Sequence, residues 1–111
     1  MTQTITPYIA VADARAAIQW YARALGATTT HPPVVMSDGR VGHAEVEIGG
    51  ARVMLSDAHP ELGVVAPSDG AAAVTLHLSV DDCDATVDRA RSAGGRVDRE
   101  PGDGPPGRIA T

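Results

Sequence analysis

From Thr4 to Val11 the chain alternates. Ile5, Pro7, Ile9 and Val11 fall on one side and Thr6, Tyr8 and Ala10 on the other, the period of a β-strand. Pro7 has no N–H to give to a ladder, which places this stretch at a strand start or a sheet edge. The period then changes. Asp13 stands where an N-cap belongs, and Ala14, Ala17, Ile18, Tyr21 and Leu25 follow at helical spacing until Gly26 supplies a left-handed stop. Tyr21 falls on the buried stripe of this helix, and Trp20 beside it is a candidate interface anchor. Pro32-Pro33 and Ser37-Asp38-Gly39 mark a loop or hairpin region. Arg40 to Ile48 alternates again, with Ala44, Val46 and Ile48 opposite His43, Glu45 and Glu47. Gly49-Gly50 predicts a tight hairpin into a further strand, Ala51 to Asp57.

Residues 58–72, punctuated by proline and glycine, read as a linker. A strand is predicted over Ala73–Val80, with Val74, Leu76, Leu78 and Val80 on one side and Thr75, His77 and Ser79 on the other. Asp82 caps a second helix carrying Cys83, Val87 and Ala90, ended by Gly94-Gly95. Arg96–Glu100 predicts one more short strand before PGDGPPG breaks the chain.

These elements repeat at an offset of 69 residues. Val11 matches Val80, Asp13 matches Asp82, Ala16 matches Ala85, Ile18 matches Val87 and Gly26 matches Gly95. Thr6 falls on Thr75. Agreement across a strand, a cap, a helix face and a terminal glycine points to duplication rather than to abundant Ala and Val alone. Each unit starts strand–helix, and the first continues with three more strands.

Composition narrows the function classes. The chain of 111 residues is 43% apolar, with nineteen Ala and twelve Val but one Trp, two Tyr and no Phe, so its core is built from small aliphatic groups. The net charge is −5, and the nine basic residues are all arginine without a basic run. With so few aromatics to stack bases, nucleic acid is not an expected partner. No segment approaches the roughly 18 apolar residues of a membrane span, so no membrane partner is expected either. The lone Cys83 fits a reducing, cytoplasmic setting better than a disulfide scaffold. It stands in the first turn of the second helix, with no catalytic partner readable nearby, and reads as a structural cysteine. Asp81, Asp82 and Asp84 complement that helix's dipole.

Three stretches carry a resemblance: TPYIAVADARAAIQWYARALGA (6–27), GRVGHAEVEIGGARVMLSDAHPE (39–61) and LHLSVDDCDATVDRARSAGGRV (76–97). The chain resembles the glyoxalase/bleomycin-resistance/dioxygenase superfamily, also called vicinal oxygen chelate proteins. HAEVEIGGARVMLSD in particular looks like its small bacterial branch. The resemblance implies an α+β fold of paired βαβββ modules whose strands curl into a partly closed barrel around a cleft. The whole chain is expected to be a single domain, with module one at about 4–57, the linker at 58–72 and module two at 73–111. An equivalent second module would extend to about residue 126, so a truncated module and a homodimer that covers its unpaired edge are expected.

Family metal ligands sit on the concave strand faces. Carried over, those positions are Thr6, Met54 and Thr75, with the fourth beyond residue 111. Hydroxyls and a thioether are poor donors for Zn, Ni, Mn or Fe, so neither a metal nor another cofactor is expected. The candidate ligand-binding residues are Thr6, Tyr8, His43, Glu45, Met54, Thr75 and His77. His31 and His59, beside prolines in loops, read as solvated. The expected function is metal-free binding of a small organic molecule in the cleft, similar to the drug-sequestering members. The alternative is a metal-dependent lyase or dioxygenase using ligands such as His43, Glu45 and His77.

Overall fold

The computed structural model of the chain describes residues 3–68, 72–105 and 107–111. The N-terminal alternation becomes strand β1, Tyr8–Val11, followed by helix α1, Ala14–Leu25. The Asp13 carboxylate accepts the Ala16 N–H at 3.1 Å, and Gly26 closes the helix at φ 68°. Strands β2 (Thr28–Val35), β3 (Val41–Ile48) and β4 (Ala51–Asp57) complete the first unit. Gly49 and Gly50 both take positive φ, the turn that a two-residue hairpin between β3 and β4 requires. A short 3-10 turn at Pro60–Leu62, helix α2 (Cys83–Ser92) and a small hairpin of β5 (Gly102–Gly104) and β6 (Gly107–Ile109) follow. Asp82 caps α2 as Asp13 caps α1, accepting the Ala85 N–H at 2.9 Å.

The four long strands form one mixed sheet in the order β1-β4-β3-β2. β1 runs parallel to β4, and the other pairs are antiparallel. One sheet face packs under α1. Ala44, Val46, Ile48, Val53 and Leu55 are buried there with Val41, Ala14 and Ala27, and Ile9, Val11, Ile18, Tyr21 and Leu25 close the rim. Burial raises the Tyr21 phenol pKa, which fits its place on the helix's inner stripe. The opposite face of the sheet carries Tyr8, His43, Glu45 and Met54.

Asp57 ties this unit together. Its Oδ1 accepts the Ala14 N–H at 2.7 Å and its Oδ2 accepts the Val41 N–H at 2.6 Å. The end of β4 thereby fixes the start of both α1 and β3. The two helices also meet. Arg89 Nε donates to the Arg23 carbonyl at 2.7 Å, satisfying a group that the C-terminus of α1 leaves open. Trp20 packs edge-on to Tyr21 and lies against Gly95, where a Cβ would stand 2.9 Å from both the indole and the Ala90 carbonyl.

Three sequence expectations change, and one that was left open is decided. The loop-or-hairpin region is a hairpin, with Ser37-Asp38-Gly39 at its turn and Pro32-Pro33 inside β2. An outer strand needs no N–H on its free side, and the ladder shifts register around His31 to absorb the prolines. The strand expected over Ala73–Val80 does not form a ladder. Residues 72–80 are exposed, with Val74 at 69% and Leu76 at 47%. β1 is held by its parallel neighbour β4, and no strand among the described residues runs beside 72–80 in that way. Arg96–Glu100 is likewise not a strand, since its backbone bonds run from Asp98 and Arg99 to Thr111 instead. The result is an α+β fold with an open, four-stranded mixed sheet and two helices. The described strands do not close into a barrel.

Candidate functional site

Register decides which side chains share the exposed face. Tyr8 lies opposite Met54, Met54 opposite Glu45, and Glu45 opposite His31, so one row crosses all four strands. Residues two along from these, Ala10, Ser56 and His43, form the next row. This follows from the period of two, which had already separated His43 and Glu45 from Ala44 and Val46.

Within the rows a hydrogen-bonded chain runs from a phenol to a carboxylate. The Tyr8 hydroxyl is 3.0 Å from His43 Nδ1 and 3.0 Å from the Gly42 carbonyl. His43 Nε2 is 2.7 Å from Glu45 Oε2. An ionised carboxylate only accepts, so the ring carries its proton on Nε2 and Nδ1 is free to accept from Tyr8. When the ring is doubly protonated, Nδ1–H donates to the Tyr8 oxygen and the phenol turns to Gly42. Both states are satisfied. The His43 hydrogen bond, reinforced by Arg52 with its Nε 3.6 Å from Oε1, holds the Glu45 carboxyl below its ordinary range. The His31 ring stands edge-on to His43 at 6.0 Å.

Above this face opens a cavity of about 610 Å³. The sheet supplies Tyr8, Ala10 and Ser56, and the segment after β4 supplies His59, Leu62 and Val64, with Met36 between them. That segment is pinned by Arg40. Its guanidinium donates to Glu61 at 3.0 and 2.5 Å, to Asp38 at 2.7 Å and to the Ala58 carbonyl at 3.3 Å. Hydrogen bonding to Arg40 brings the Glu61 carboxyl down to about 2 and lowers Asp38 as well.

The structure therefore brings Tyr8, His43, Glu45 and Met54 onto one face. Thr6 lies just before β1, half-buried at that face's edge. Thr75 and His77 stand in the exposed segment 72–80, and neither hydrogen-bonds to the Tyr8 chain among the described residues. His31 is exposed, as read, but lies in a strand beside His43 rather than in a loop. His59 corrects the sequence reading: it is buried at 4% exposure, with Nδ1 2.8 Å from the Asp57 carbonyl. Reading β2 through its prolines would have found His31. Nothing in the sequence announces the burial of His59, which depends on how the segment after β4 folds back.

The superfamily's metal does not fit this donor set. Thr6, Met54 and Thr75 offer hydroxyls and a thioether, and among the described residues no three His, Cys, Asp or Glu side chains converge as a ligand group. Among the described residues, no helix is long and apolar enough to cross a membrane.

Comparison with known proteins supports the same lineage. A model of the Glyoxalase/Bleomycin resistance protein/Dioxygenase superfamily matches residues 3–111. Over 97 residues the chain is 37% identical to uncharacterized protein Mb0911c of Mycobacterium bovis, covering 84% of this chain and 63% of that protein. It is equally similar to uncharacterized protein Rv0887c of Mycobacterium tuberculosis, covering 56% of it, so the chain spans little more than half the length of these relatives. Among solved structures, hypothetical protein SA1046 from S. aureus aligns with a TM-score of 0.75 at 23% identity, over 99% of this chain and 84% of that one. A glyoxalase/bleomycin resistance protein/dioxygenase from Nocardioides aligns with a TM-score of 0.59 at 26% identity, over 95% and 71%. A strand–helix unit capped by Asp13 and Gly26, its partial repeat at Asp82, and this match along nearly the whole chain establish that the protein belongs to the Glyoxalase/Bleomycin resistance protein/Dioxygenase superfamily.

Proposed function

We propose that the protein binds a small organic molecule on the exposed face of its sheet and does so without a metal. The observation that carries this reading is the cavity of about 610 Å³ between that face and the segment after β4. Its walls are mostly aliphatic, with a few polar groups to orient a guest, which is how ligand clefts are commonly built. The Tyr8–His43–Glu45 chain supplies an orienting hydroxyl at the mouth. The weakness of Thr6, Met54 and Thr75 as metal donors supports binding over the lyase or dioxygenase chemistry of other members.

Two measurements test it. Protein purified without chelator is expected to contain no stoichiometric transition metal, and finding one would overturn the metal-free part. Titration with small aromatic compounds is expected to shift the NMR signals of Tyr8, Ala10, Gly42 and Ser56 together. Shifts confined to other surfaces would overturn the placement.

A cytoplasmic homodimer belongs to the same proposal. The lone Cys83 supports the compartment, and the exposed apolar row Val74, Leu76, Leu78 and Val80 supports a second copy as its cover. Light scattering that finds a monodisperse monomer at micromolar concentration would refute the dimer.

A further inference from the structure

His59 faces the cavity with a nitrogen that has no good partner. Its Nδ1 lies 2.8 Å from the Asp57 carbonyl oxygen, which can only accept, so Nδ1 carries a proton. The hydrogen-bonding contact of Nε2 among the described residues is the Met36 thioether at 2.8 Å. A thioether has no hydrogen to give. In the neutral ring the Nε2 lone pair is therefore unmatched, and in the charged ring Nε2–H meets only a weak acceptor. Either ending is poor for a side chain that is 4% exposed, because buried ring nitrogens ordinarily find a partner.

The surroundings define what that partner would be. Among the described residues the cavity lining contains no Arg, Asp or Glu. The neighbouring carboxylates lie outside that lining and are engaged elsewhere: Asp38 and Glu61 by Arg40, Glu45 by His43 and Arg52, and Asp57 by the Ala14 and Val41 N–H groups. Facing a neutral His59 ring, a carboxylate or ammonium guest would have to shed its water without a counter-ion, which is costly. Met36 can yield: it is unbranched and flexible. It packs on Gly42, where a Cβ would stand 3.2 Å from its Cγ and 3.3 Å from its sulfur, and its 37% exposure leaves solvent for it to turn toward.

We propose that His59 Nε2 is the handle of the cavity, accepting a hydrogen bond from the hydroxyl of an uncharged, mainly apolar molecule as Met36 moves aside. This rests on the binding reading above and adds the chemical class of the ligand. The Tyr8 hydroxyl is the second polar group available to such a guest.

The test uses three probes of one shape on the full chain: 2-naphthol, its methyl ether and 2-naphthoate. At about pH 7.5 naphthol is expected to bind about three- to tenfold more tightly than the ether, the worth of one hydrogen bond. Naphthoate is expected to bind more weakly than either. His59→Asn keeps an N–H where Nδ1 stood and deletes Nε2, and it should erase the preference for naphthol over the ether. Should that variant fail to fold, NMR of the imidazole nitrogens in the unaltered protein gives a second reading. Nε2 should be bare in the free protein and should shift with naphthol but not with the ether. Equal binding of naphthol and ether, tight binding of naphthoate, or a proton on Nε2 instead of Nδ1 overturns the proposal while leaving a binding cavity. If none of the three binds at millimolar concentration, the binding reading falls with it.

Discussion

Asp57 offers a sharp test of how this fold is keyed together. Its two carboxylate oxygens each take one backbone N–H, from Ala14 at the start of α1 and from Val41 at the start of β3. Asn keeps the shape but can accept with only one of its two terminal atoms. In Asp57→Asn one N–H is therefore left facing another donor. A hydrogen bond to a charged group contributes about 1.5–3 kcal/mol, and the lower half applies because Asp57 is only partly buried. Asp57→Asn should cost about 2 kcal/mol, and Asp57→Ala, which loses both bonds, about 3–4 kcal/mol. Against a typical total of roughly 5–15 kcal/mol, either is a large fraction. Urea unfolding measures it: with a slope of about 1–3 kcal/mol per molar, the Asn variant should shift its midpoint by roughly 1 M. Asp13→Asn serves as the control, removing a charge near the same helix end while leaving a good N-cap. It should stay within about 0.5 kcal/mol of the parent. If Asp57→Asn is as mild as that control, the two-oxygen bridge is not what holds the elements together.

Other outcomes follow from single features. Leu55, fully buried at the centre of the core, should cost about 2–5 kcal/mol as Leu55→Ala, read by the same urea titration. Gly95→Ala places a methyl against the Ala90 carbonyl and Trp20, so it should shift the emission of the single tryptophan as α2 moves off α1, and an unchanged spectrum would refute that contact. Acid stability depends on the lowered carboxyls. Glu61 falls from an ordinary 4.5 to about 2 in the folded protein, chiefly through its hydrogen bonds from Arg40. The unfolded state therefore binds the proton first, so this contribution is complete above about pH 4.5 and is lost as pH falls toward 2. Unfolding midpoints should decline across that window, and Glu61→Gln should flatten part of the slope.

Much of the framework was legible in the sequence because its causes are local. A side-chain period of two assigned His43 and Glu45 to one face of β3 and Ala44 and Val46 to the other. Caps at Asp13 and Asp82, the stop at Gly26 and the Gly49-Gly50 turn act on their own backbone neighbours, so the structure reproduces both helices and the hairpin within about one residue. The resemblance carried by residues 6–27, 39–61 and 76–97 extended this to a family. What tertiary structure decided depends on distant partners. Residues 72–80 have strand periodicity, but periodicity supplies only half a ladder, and with no neighbouring strand among the described residues their apolar row stays exposed. Pro32 and Pro33 left loop and hairpin open, and the free edge beside β3 decided it by making their missing donors harmless. The burial of His59, its fixed tautomer and its contact with Met36 required the segment after β4 to fold back over the sheet. No local pattern encodes that, because the forces responsible act between residues far apart in the chain.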